Sequence, residues 1–224
     1  MLIARGLGDD LKLCWGGAHR THGLAIGAFA RGALAIMSRH SPLWGTPLVT
    51  RAASELERVL DQLETQEKPL PPESLEHVAQ AIAAIFRVQA DEVAVMELLP
   101  PGKLLGFVLP EKFRAVGTIP LTSTTALAAR TARERRSDII NNFASTRHAS
   151  VFEGVPLGRR QSESIQKMMS VPILRGDRVI GVAQICRKGI SSTDAGPDFS
   201  TTDLTELQGL SSLLSRFLAL NRSG

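Results

Sequence analysis

Few residues in this 224-residue chain have the type and spacing to do chemistry. Cysteine occurs twice, as Cys14 and Cys186, far apart and without the spacing of a metal or redox pair. That usage suits free thiols in a reducing cytoplasm, and thiol exchange would need a resolving partner. The histidines His19, His22, His40, His77 and His148 are scattered and form no ligand set. Neither a Gly-x-Ser-x-Gly elbow, nor a Gly-Lys-Ser/Thr phosphate loop, nor a His-Glu-x-x-His helix is present. What is left is recognition chemistry. Residues 141–160 are polar and irregular, with Phe143, Phe152 and Val155 as isolated anchors. They carry Asn141, Asn142, Arg147, His148, Glu153 and Arg159, whose amides and charges suit a small polar ligand. Long irregular segments in compact domains are often binding segments; the alternative is an ordinary surface loop. Gln184 stands between Ala183 and Ile185, so it faces either a pocket or the solvent side of an alternating strand. Arg130, Arg133, Arg135 and Arg136 form the densest charge run. They read as a solvated helix end favoured by the dipole, or as a patch for an anion or acidic partner.

Several elements must position these groups. Thr46-Pro47 starts a helix to about residue 66, in which Val49, Ala52, Leu56, Val59 and Leu63 recur at steps of three and four. Lys68-Pro69-Leu70-Pro71-Pro72 ends it as a stiff linker. A second amphipathic helix spans residues 74–87, with Leu75, Val78, Ile82 and Phe86 on one face. Strands are expected at 92–99 and 104–109, joined by Pro100-Pro101-Gly102-Lys103, and again at 116–121. Hydroxyls at the start and arginines at the end predict a helix over 122–136. Residues 161–169 read as a short helix. Residues 171–174 and 179–186 flank the polar turn Arg175-Gly176-Asp177-Arg178, which is a hairpin signal. Ser200 and Asp203 then open a last helix with a capping box, and Leu207, Leu210, Leu214 and Phe217 form its stripe.

Composition sets the outer bounds. Lys and Arg total 26 against 22 Asp and Glu, a net charge of +4 with no concentrated basic stripe, so nucleic acid is not an expected partner. No tract is long and charge-free enough to cross a membrane. Residues 1–36 are broken by seven glycines. They are expected to be a poorly structured leader or the product of an upstream start codon, with Met37 as the true beginning. The expected organisation is therefore a leader at 1–36, an amphipathic helix within 37–68, a linker at 69–73 and a folded domain over 74–222.

From residue 74 the order is helix, two strands, strand, helix, irregular segment, short helix, two strands, helix. The closing hairpin, loop and capped helix resemble the C-terminal half of a GAF domain, the small-molecule-sensing module of many signalling proteins. The resemblance implies an α+β fold, PAS-related, with a central antiparallel sheet, helices on both faces and flanking amphipathic helices. Cyclic-nucleotide-regulated phosphodiesterases of this family carry Asn-Lys, a gap, Phe, three residues, then Asp-Glu. The matching positions here are Arg187-Lys188, Phe199 and Asp203-Leu204, so Lys188, Phe199 and Asp203 are kept while Arg187 and Leu204 depart. The kept set reads as a structural clamp: Lys188 pairs with Asp203, Ser200 caps the helix, and Phe199 staples it. Cys186 reads as a small core residue rather than a bilin attachment point, and the methionine-sulfoxide reductase branch needs more cysteines.

The expectation is a non-enzymatic, cytoplasmic regulatory module that binds an unidentified small molecule non-covalently, with no other cofactor or metal. It would signal through dimerisation or a partner protein, with Val49, Leu56, Leu63, Leu207, Leu214 and Phe217 at a homodimer interface. A purely structural interaction module and a small redox enzyme on the same fold are the alternatives.

Overall fold

The computed structural model describes residues 48–66, 69–143 and 163–222. Its helices are α1 (Leu48–Glu64), α2 (Pro72–Phe86), α3 (Leu127–Glu134), α4 (Thr201–Gly209) and α5 (Ser211–Arg222). Its strands are β1 (Val93–Leu99), β2 (Leu104–Leu109), β3 (Thr118–Pro120), β4 (Asp138–Ile140), β5 (Ser164–Arg175) and β6 (Arg178–Gly189). All pair antiparallel in one sheet of order β3-β2-β1-β6-β5-β4. This is the expected α+β architecture, with helices on both faces. The leader, residues 1–36, lies outside the described residues.

Two elements differ from the sequence reading. Residues 164–169 are the start of β5, not a helix. A register shift between Ile165 and Lys167 puts Ile165 and Met168 in the same core three residues apart, a spacing that mimics a helical step. Pairing along all of β6 outweighs the local preference. The helix expected over 122–136 is only α3. Ser123 accepts from the Ala126 N–H at 3.1 Å and holds the preceding residues in a turn, so the helix starts late.

The sheet divides the apolar residues into two cores. On the first face, Met169, Val171 and Ile173 of β5 with Ala183 and Ile185 of β6 meet α1, α2, α4 and α5. Gly181 permits a close approach of α5: a Cβ there would lie 2.8 Å from Leu218 Cδ1. The second face carries Met96, Phe107, Met168, Val182 and Cys186 beneath α3 and Phe113.

The stripes assigned to a dimer interface are a correction. Leu56, Leu207, Leu214 and Phe217 are 0% exposed and Leu63 2%, all within one chain. Helices α1 and α5 lie against each other, fastened by Arg216 to Asp61 at 2.6 Å and to Glu64 at 2.7 Å. Each stripe is thus consumed by the other helix and by the sheet. The side chain of Val49 lies outside the described residues.

The sequence elements around the last helix assemble locally. Ser200 accepts from the Asp203 N–H at 3.2 Å and donates its own N–H to the Asp203 carboxylate at 2.6 Å. Because Leu214 is wholly enclosed, Leu214→Ala should lower unfolding free energy by about 2–5 kcal/mol in a urea titration. A loss under about 1 kcal/mol would mean that α5 is not part of the core.

Candidate functional site

The second face is the more polar of the two inside its core. Beneath α3, the Ser170 hydroxyl meets that of Thr131 at 2.7 Å, and Gln184 Nε2 donates to Ser170 Oγ at 3.2 Å. Thr131 and Ser170 are 0% exposed and Gln184 5%. Register explains the meeting: Gln184 lies opposite Ser170 on β5 and opposite Ala94 on β1. Ala94, Met96, Val182 and Cys186 surround the trio with apolar surface. Buried polar groups persist when they satisfy one another, and this set does so across helix and sheet. The two hydroxyls can each serve as donor or acceptor toward one another.

α3 lies over this face with mostly small residues: Ala128, Ala129 and Ala132. Its end is tied to the edge strand, where Asp138 receives Arg130 and Arg136, each at 3.3 Å. Arg133 donates to the carbonyls of Leu121 and Ser123. The arginine run is therefore largely engaged in fastening the helix end.

Of the candidate ligand residues that are described, only Gln184 belongs to this second-face core. Asn141 turns away from it: its Nδ2 donates to the Phe199 carbonyl at 3.0 Å and its Oδ1 accepts from the Phe199 N–H at 2.9 Å. Asn142 is exposed. Arg147, His148, Glu153 and Arg159 lie outside the described residues. Thr131 and Ser170 escaped the sequence reading. Their signal was a hydroxyl at an otherwise apolar position, Thr131 among the alanines of α3 and Ser170 between Met169 and Val171.

The clamp is built from other pairs than expected. Lys188 Nζ binds the Asp91 carboxylate at 3.2 Å and the Asp91 carbonyl at 2.8 Å, so it does not reach Asp203. Glu92 accepts the Lys188 N–H at 2.6 Å. Asp203 is already engaged by the helix cap, which removes any need for a distant lysine. Arg187, the position departing from the phosphodiesterase pattern, does more. Its guanidinium lies 4.7 Å from the centroid of the Phe199 ring and donates to the carbonyls of Phe86 and Arg87 at the end of α2. A cation over an aromatic face, bonded to helix C-terminal carbonyls, is favourable on both counts. Phe199 itself is buried with α4 and α5.

A cleft of about 630 Å³ lies nearby, lined by Arg87, Gln89, Glu163, Arg187, Lys188 and Asp194. Arg187 and Lys188 are already bonded to the protein's own carbonyls and to Asp91. Among the described residues no group of His, Cys, Asp and Glu could hold a metal ion. No described helix is long and apolar enough to cross a membrane.

Comparison with known proteins agrees with this geometry. The family model of the GAF domain matches residues 72–219. The GAF domain of an Acinetobacter phosphoenolpyruvate-protein phosphotransferase superposes with a TM-score of 0.55 at 14% identity, over 80% of this chain and 98% of that one. The corresponding domain from Coxiella burnetii gives 0.54 at 11% identity, over 80% and 99%. A free methionine-R-sulfoxide reductase from Neisseria meningitidis, solved with its substrate, gives 0.50 at 12% identity, over 80% and 95%. Identities this low speak for the fold alone. No curated protein sequence matches the chain significantly. With two-thirds of its length matched by the family model and its fold similar to that of solved GAF domains, the chain belongs to the GAF domain family.

Proposed function

We propose that this chain is a non-enzymatic regulatory domain that binds a small molecule non-covalently on the second face of its sheet. GAF domains are typically sensory or regulatory, and the observation that supports this location is the buried polar trio of Thr131, Ser170 and Gln184. It sets hydrogen-bonding groups into an apolar surface of Met96, Met168 and Val182. A few convergent polar groups in an apolar surround are what small-molecule sites use for orientation. The ligand favoured by this set is neutral or weakly polar, since no charge sits in the trio itself.

In this reading the domain works in the cytoplasm, and its signal leaves through a second copy of the chain or a partner protein. The apolar stripes being enclosed, such a contact would use the outward surfaces of α1 and α5. Light scattering at roughly tens of micromolar should then show a dimer, as expected of a micromolar-or-tighter contact. A monomer would leave a partner protein as the only route.

The reductase reading finds less support. Cys186 is 1% exposed in β6, and burial pushes its thiol far above the ordinary range. The nucleophile in thiol chemistry is the thiolate, which this site keeps protonated at neutral pH. In a Cys14→Ser protein, Cys186 should stay unreactive toward aromatic disulfides even near about pH 9, where an ordinary thiol reacts, and should react once the chain is unfolded. Rapid labelling of the folded protein would reopen the redox reading.

The sensory reading is tested by thermal denaturation against nucleotides, amino acids, organic acids and tetrapyrroles. A ligand that binds only the folded state raises the melting temperature with concentration. The shift should be lost in Gln184→Leu, which keeps side-chain bulk but removes the amide. No shift with any compound, or an undiminished one in Gln184→Leu, would count against this site.

A further inference from the structure

The two cores are separated by the sheet, and the edge strand β4 touches both. Ile139 packs against the first-face core, while Ile140 and the following Phe143 belong with the second. Asn141, two residues after Ile139, reaches the first-face core. Its amide binds both main-chain groups of Phe199, the residue before the N-cap of α4. Two further contacts join neighbouring residues to α4 and to the loop before it. Ser137 accepts from Gln208 of α4 at 2.9 Å, and buried Lys167 donates to the Gly196 carbonyl at 2.6 Å.

From Phe199 the contacts continue to α2. Its ring supports the Arg187 guanidinium, which in turn holds the carbonyls of Phe86 and Arg87. Those carbonyls close a helix that ends on Arg87 in the left-handed region, φ 54°, a conformation costly for any residue with a side chain. The end of α2 thus takes an external donor in addition to the Arg87 and Val88 N–H bonds to the Ala83 carbonyl, and that donor lies against the Phe199 ring.

We propose that Asn141 and Phe199 form the coupling element of the domain. Through them, a change in how β4 and Phe143 sit on the second face repositions the start of α4 and, by way of Arg187, the end of α2. The two hydrogen bonds of Asn141 share one planar amide, so a rotation of that amide disturbs both at once. Its regulatory meaning rests on the sensory reading above. The contact chain itself can be tested without a ligand, so a failed ligand screen and a failed coupling test are distinguishable.

The test is amide hydrogen exchange on the full chain and its variants. Asn141→Ala should speed exchange roughly tenfold, the equivalent of one lost hydrogen-bonded contact, both at residues 199–209 and at residues 83–88. Strands β1 and β2 should be unaffected. Asn141→Asp keeps the acceptor for the Phe199 N–H and loses the donor; it should show the same pattern at lower amplitude, and serves if the alanine variant does not fold. Gln208→Ala removes only the contact to Ser137 and should leave residues 83–88 unchanged. Faster exchange confined to the neighbourhood of residue 141, or spread evenly through the chain in both Asn141 variants, would overturn the proposal.

Discussion

Strands β5 and β6 are buried on both faces over most of their twelve residues each, and the rest of the structure follows from that constraint. A strand with apolar or hydrogen-bonded side chains on both sides must be covered twice, or it exposes one whole set to water. On the first face the cover is the packed group α1, α2, α4 and α5, joined by large aliphatic side chains. That demand is why the helix before the domain core and the last helix meet inside one chain rather than offering their stripes to a partner. On the second face the cover, among the described residues, is one short alanine-bearing helix and a few aromatic side chains.

The two covers have different physical characters. The first is held by many large apolar contacts. The second rests partly on a three-member hydrogen-bonded set and on ion pairs of α3 with Asp138. Rearranging a few polar contacts costs less than opening a close-packed aliphatic core. A ligand that replaced the hydrogen bonds of the trio would have access to a face the helix group does not control. The edge strand β4, in contact with both cores, is where the two could exchange information.

The sequence was legible where local chemistry and tertiary demand agree. The turn at Arg175 to Arg178, the capping box of Ser200 and Asp203, and the apolar stripe of α2 read as they are built, because each is decided within a few residues. The start of β5 was not legible, since a bulge gives its apolar residues a helix-like spacing. The partners of Lys188 and Asn141 were not legible either. Asp91 and Phe199 are distant in sequence from them, and periodicity carries no information about which distant group a polar side chain will meet. Assigning Leu56 and Leu214 to a dimer had the same origin: an amphipathic stripe announces that it will be covered but not by what. Gln184 was visible as a polar residue in an apolar strand, yet Ser170 and Thr131, which give it meaning, are recognisable only once the register is known.

The central claim, that a small molecule acts on the second face, is tested most directly through the methionine methyl groups. Met96 and Met168 lie in the second-face core, whereas Met169, next in sequence to Met168, lies in the first. In a protein carrying labelled methionine methyls, titration with pooled nucleotides, amino acids, organic acids and tetrapyrroles should shift the Met96 and Met168 resonances first. Met169 should respond less and only indirectly. Movement of Met169 alone, or no movement of Met96 and Met168 with any pool, would contradict the account.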